Sequence, residues 1–119
     1  MATVLVVDDE PVICSLVAEV LEREGHSVLT ARNGAQALSL FRSHREIDLL
    51  ISDITMPEMD GLTLAKKVQA ERPGLSVLLM SGCCENGRIS KSFDFLAKPF
   101  SITELATRVR ELVETWQAA

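Results

Sequence analysis

A doubly wound α/β fold, built on a five-stranded parallel sheet in the order 2-1-3-4-5, is predicted from three observations. Short runs rich in Val, Leu and Ile alternate along the chain with longer stretches of helical period. The best of these runs are apolar at every position, as expected of strands covered on both faces. Strand and helix take turns, which places helices on both faces of the sheet with right-handed crossovers. Five strands in such an alternation favour the 2-1-3-4-5 order.

Each element has its own signal. Val4-Leu5-Val6-Val7 is the first strand. Val12, Ile13, Leu16, Val17, Val20 and Leu21 recur at helical spacing, and Gly25 ends that helix. Ser27 to Ala31 is the second strand, and a helix marked by Ala37, Leu38 and Phe41 opens after Asn33-Gly34. Leu49-Leu50-Ile51 is the third strand, closed by Ser52-Asp53 and followed by the turn cluster Met56 to Gly61. Leu64, Ala65 and Val68 mark the next helix, which Pro73-Gly74 stops; Val77 to Met80 and Phe93 to Ala97 are the fourth and fifth strands. The last helix carries the cleanest apolar stripe, from Ile102 through Leu105, Val109 and Val113 to Trp116. Ser101 is placed to cap it, with Glu104 completing a capping box.

Composition bounds the function. The 119 residues read as one domain, 1–119, and 47% hydrophobic content is enough for a packed core. Seventeen acidic against twelve basic residues give a charge of −5, which argues against direct binding to nucleic acid. No apolar run approaches the ~20 residues needed to cross a bilayer, and the start shows no secretory signal. Three cysteines, an odd number with Cys83 and Cys84 adjacent, make no disulfide framework and point to a reducing, cytoplasmic setting. Cys14 is expected in the core, and the vicinal pair is expected to pack or face solvent.

In an open parallel sheet, ligands bind beyond the carboxyl ends of the strands, where the strand order reverses. Those ends carry Asp8-Asp9-Glu10 after the first strand, Asp53 after the third, Ser81-Gly82 after the fourth and Lys98-Pro99 after the fifth. Two carboxylates ~4 Å apart repel by roughly 4 kcal/mol at an effective dielectric of about 20. Hence a carboxyl stays protonated or a cation binds. Carboxylate oxygens without His or Cys select Mg²⁺ or Mn²⁺. Ser81 and Lys98 supply donors where a phosphoryl group on Asp53 would point. A carboxylate is a known nucleophile for an acyl phosphate.

With these residues in place, the chain resembles the receiver domains of two-component response regulators, which have a flavodoxin-like fold. The resemblance covers essentially the whole chain. It rests on Asp8-Asp9, on the segment Asp53-Ile54-Thr55-Met56-Pro57-Glu58-Met59-Asp60-Gly61, and on Lys98-Pro99-Phe100. It implies that Asp53 is phosphorylated by a histidine kinase, a phosphotransfer protein or a small phospho-donor. It further implies that Asp9, Asp53 and the Thr55 carbonyl bind Mg²⁺, with Asp8 acting largely through water. Ser81 and Lys98 would engage the phosphoryl group, and Phe95 would be the aromatic switch residue. The Lys98-Pro99 bond would be cis. The partner downstream is not named by the sequence, and self-catalysed uptake and slow loss of phosphate do not make the domain an enzyme.

Other readings fit less well. A haloacid-dehalogenase-type phosphatase keeps its second Asp two residues after the nucleophile, a spacing that Asp8-Asp9-Glu10 lacks. A dinucleotide binder needs a glycine-rich loop after the first strand. A passive module would not need the full set of Asp8, Asp9, Asp53, Ser81 and Lys98. Asp60, just before Gly61, reads as a turn or cap residue rather than a metal ligand.

One departure stands out. Glu85 to Ser92 has a central Gly and a single strong apolar residue, which makes a poor helix. The fourth of the usual five helices is therefore predicted to be shortened or missing. Receivers commonly dimerise through that face, so any phosphorylation-dependent dimer is expected to use an atypical one.

Overall fold

The computed structural model describes residues 2–82 and 93–118, with side chains to Val113. The elements are β1 (Thr3–Val7), α1 (Pro11–Arg23), β2 (Ser27–Ala31), α2 (Gly34–Ser43), β3 (Leu49–Asp53), α3 (Gly61–Glu71), β4 (Ser76–Ser81), β5 (Asp94–Ala97) and α4 (Ile102–Ala118). All strand pairs are parallel and the order is β2-β1-β3-β4-β5, as predicted. The predicted shortening of a helix between β4 and β5, and the Cys83-Cys84 pair, lie outside the described residues. So does the side chain of Trp116.

Period-two alternation sorts the strand residues between two cores. Val4, Val6, Leu49, Ile51, Leu78 and Met80 face α1 and α4, where they meet Val17, Leu21, Leu105 and Val109. Leu5, Val7, Leu50, Val77 and Leu79 face α2 and α3, where they meet Leu38, Phe41, Leu64 and Val68. Each fully buried Leu or Ile contributes about 2 kcal/mol. Every residue of β3 is buried, whereas the outer strands β2 and β5 are partly exposed.

The helix ends are fixed by local chemistry. Pro11 opens α1, and Gly25 beyond its end adopts φ +94°, which disfavours an L side chain. Asn33 and Asp60 cap α2 and α3 by accepting the N–H groups of Gln36 and Thr63, each at 2.7 Å. Asp60 is thus the cap that the sequence suggests. Before α4 the capping box closes in both directions: the Glu104 N–H donates to Ser101 Oγ at 3.0 Å and the Ser101 N–H donates to Glu104 Oε1 at 2.9 Å.

Candidate functional site

The strand order brings the ends of β1, β3, β4 and β5 to one side of the sheet. Asp8 follows β1 and has no exposed surface. Its Oδ1 accepts the Glu10 N–H at 2.9 Å and its Oδ2 accepts Lys98 Nζ at 3.0 Å. Asp53 ends the central strand and is also buried. The residue after it is tied to the neighbouring strand, with the Ile54 N–H donating to the Met80 carbonyl at 2.9 Å. Lys98 leaves β5 with its N–H on the Ser81 carbonyl at 2.7 Å, and the Lys98-Pro99 peptide is cis.

The ammonium of Lys98 lies between the acids, 3.5 Å from Asp53 Oδ1 and 3.8 Å from Glu10 Oε1 in addition to its contact with Asp8. Burial pushes the Lys98 pKa down, yet the hydrogen bond to Asp8 and the charges of Asp53, Asp8 and Glu10 outweigh it and hold the group above its ordinary value. Asp53 moves up as well. Burial is the main cause, the Lys98 charge opposes it, and the charges of Asp8 and Asp9 add to it. A raised acid between carboxylates marks surplus negative charge in a dry place.

The donor set fits a hard divalent cation. Asp8, Glu10 and Asp53 each offer a carboxylate oxygen, all within 4.8 Å of one another. These carboxylates outnumber the Lys98 ammonium, and Asp9 beside them adds to the surplus negative charge that a divalent cation would offset. All three donors are oxygen, which suits Mg²⁺ or Mn²⁺ rather than zinc.

The remaining predicted residues group around this cluster. Asp9 is exposed and, with Glu10, Asp53, Thr55, Gly82 and Lys98, lines an open cleft of about 570 Å³. Ser81 is buried at the end of β4. Phe95 on β5 is half-buried and packs toward the α2–α3 core. Glu10 joins the expected acids as a further donor, and its signal in the sequence is its place directly after two acids at a strand end. Two further residues bear on the Asp53 backbone, Ser52 with little signal in the sequence and Gly61 as the end of the Asp53–Gly61 segment. Ser52 is buried and donates its hydroxyl to the Asp53 carbonyl at 2.9 Å. Gly61 lies so close to the Asp53 carbonyl that a side-chain carbon would collide with it.

Residues 4–110 match the family model described as the response regulator receiver domain. The chain is 40% identical over 116 residues to the probable transcriptional regulatory protein TcrX of Mycobacterium tuberculosis, covering 93% of this chain and 49% of that protein. It is 37% identical over 119 residues to the sensor kinase CckA of Brucella abortus, covering 95% of this chain and 13% of the kinase. The chain thus spans half or less of these curated relatives. A crystal structure of the response regulator protein TrrA from Thermotoga maritima, in complex with Mg²⁺-BeF, superposes with a TM-score of 0.85 at 35% identity. That match covers 94% of this chain and 99% of TrrA.

Proposed function

The chain belongs to the response regulator receiver domain family of two-component systems, and from that premise we propose that Asp53 accepts a phosphoryl group in a Mg²⁺-dependent reaction that switches the domain's hold on a partner. The donor is the phosphohistidine of a histidine kinase or phosphotransfer protein, or a small acyl phosphate. One Asp53 oxygen bonds to phosphorus while the bond from phosphorus to the donor breaks, and its electron pair leaves with the donor. The ion, when bound, would offset the charge of the crowded carboxylates and of the transferring group. Asp9, Asp53 and the Thr55 carbonyl would hold the ion, with Asp8 largely through water and Glu10 adding a carboxylate within reach, and Mn²⁺ would suit the same oxygens. Lys98 then pairs with the phosphoryl oxygens, and Ser81 donates its hydroxyl to them. Phe95 turns inward as Ser81 moves. Such a modification biases two arrangements of the same fold that differ by a few kcal/mol.

The observation that carries this reading is the ammonium of Lys98 within reach of both Asp8 and Asp53. The domain takes up and slowly loses phosphate without turning over an external substrate. It works in the cytoplasm as one receiver unit, and a dimer of the phosphorylated form uses an atypical face. Incubation with acetyl phosphate and Mg²⁺, followed by intact mass, tests the acceptor. The parent gains one phosphoryl group and Asp53→Ala gains none; a gain that persists in the variant overturns the assignment.

A further inference from the structure

We propose that Met59 is a positioning residue for the cleft, acting through its seat on the bare first turn of α2 at Gly34. The proposal rests on the reading above, in which the Thr55 side of the cleft faces Mg²⁺. The segment between β3 and α3 carries Thr55 and is pinned at its root. The Ile54 N–H donates to the Met80 carbonyl and the Gly61 N–H donates to the Ile54 carbonyl, each at 2.9 Å. At its far end the chain turns sharply. Glu58 takes a left-handed φ of 68°, and the Met59 N–H donates to the Pro57 carbonyl at 2.8 Å. A non-glycine residue at positive φ is held there by its surroundings, not by preference.

The turn brings Met59 onto α2. A Cβ added to Gly34 would lie 2.6 Å from Met59 Sδ and 2.9 Å from Met59 Cβ, so a larger residue must push the Met59 side chain aside or shift the loop that carries it. Gly34 is buried beneath this contact and Met59 is half-buried against the α2–α3 core. A flexible thioether fills such an irregular gap well. The loop is therefore clamped at two points where a glycine meets it, Gly61 on the Asp53 carbonyl and Gly34 under Met59. The first clamp fixes the root and the second fixes the apex. Thr55 lies between them, so the apex contact sets where the residues of the cleft wall stand. Loss of a group that orients a metal's ligands without touching the metal typically costs about tenfold or more in affinity.

The test uses the full chain, Mg²⁺ alone as the probe, and two readouts. Calorimetric titration of Met59→Ala shows Mg²⁺ affinity reduced roughly tenfold, while Met59→Leu stays within about twofold of the parent. Gly34→Ala, which lifts Met59 off the helix, loses at least as much as Met59→Ala. In the Met59→Ala/Gly34→Ala double variant the two losses do not add. Phe41→Leu, on the same helix and in the same core, lowers thermal stability and leaves Mg²⁺ affinity unchanged. In metal-free protein, hydrogen exchange at the Gly61 amide is faster in Met59→Ala than in the parent. Variants that melt earlier, as Phe41→Leu does, but bind Mg²⁺ like the parent overturn the proposal. Should the parent itself fail to bind Mg²⁺, the functional reading falls instead. Unchanged Gly61 exchange in Met59→Ala then still overturns the clamp by itself.

Discussion

Charge is handled in opposite ways at the two ends of the sheet. At the carboxyl ends of the strands, Asp8, Asp53 and Lys98 are withdrawn from water and meet within 3.5 Å. At the amino ends, Arg42 and Glu71 join α2 to α3 through a forked pair as short as 2.6 Å, with both side chains exposed. The exposed pair has the better geometry, and its partners shift each other as expected: Glu71 lowers through its hydrogen bond to Arg42, and Arg42 rises through the same bond. Water nevertheless makes it expendable, because solvated ions lose little on separation. The buried cluster is the reverse case. Its members have no comparable solvent to return to, so removing one leaves the others uncompensated. Proximity alone is therefore a poor guide to which ion pair matters; exclusion of water decides.

Substitutions at each end test this contrast. The largest effect is expected of Lys98→Ala, which leaves Asp8 buried beside Asp53 without a cation and costs about 3 kcal/mol in metal-free buffer. Urea unfolding measures it, and excess Mg²⁺ should recover part of the loss; equal losses with and without the metal would refute the view that ammonium and metal share one charge-balancing task. A smaller effect is expected at His26, near the amino ends. Burial pulls its imidazole below the ordinary value of 6.5, and Nδ1 accepts the Ala2 N–H at 3.0 Å, which it cannot do when protonated. The unfolded chain takes up the proton first. The stability contributed by His26 is thus whole above about pH 6.5 and is lost as the pH falls through the lower folded value. Between pH 7 and 5, melting temperatures should fall less in His26→Gln than in the parent. The smallest effect is expected of Arg42→Ala, which should leave the melting temperature within about 1 °C of the parent despite the loss of a forked pair.

The elements were legible because periodicity is a local property. Val4 to Val7 and Leu49 to Ile51 announce buried strands, and Ser101 with Glu104 announces a helix start; the structure has each where the pattern puts it. The strand order followed from alternation, and with it the meeting of Asp8, Asp53, Ser81 and Lys98 at one edge. What escaped the sequence was side-chain reach. The run Asp8-Asp9-Glu10 does not say which acids reach Asp53: Asp8 and Glu10 come within 4.8 Å of it, and Asp9 lines the cleft beside them. Nor does any pattern tie Gly34 to Met59, since the two are distant in sequence and each has an ordinary local excuse. Gly34 reads as a helix start and Met59 as loop. Contacts of that kind arise only once the layers are assembled.

Strand β3 is covered on both faces and hydrogen-bonded on both sides, and it carries Asp53 at its tip. Lys98, by contrast, extends from an outer strand with one open margin. Asp53 is thus held on a strand paired along both sides, and Lys98 follows one paired, among the described residues, along one. On the proposed reading, a change in the gap between them would fall on the less supported strand, and a protein resting on that rim would sense the state of a carboxylate it never touches.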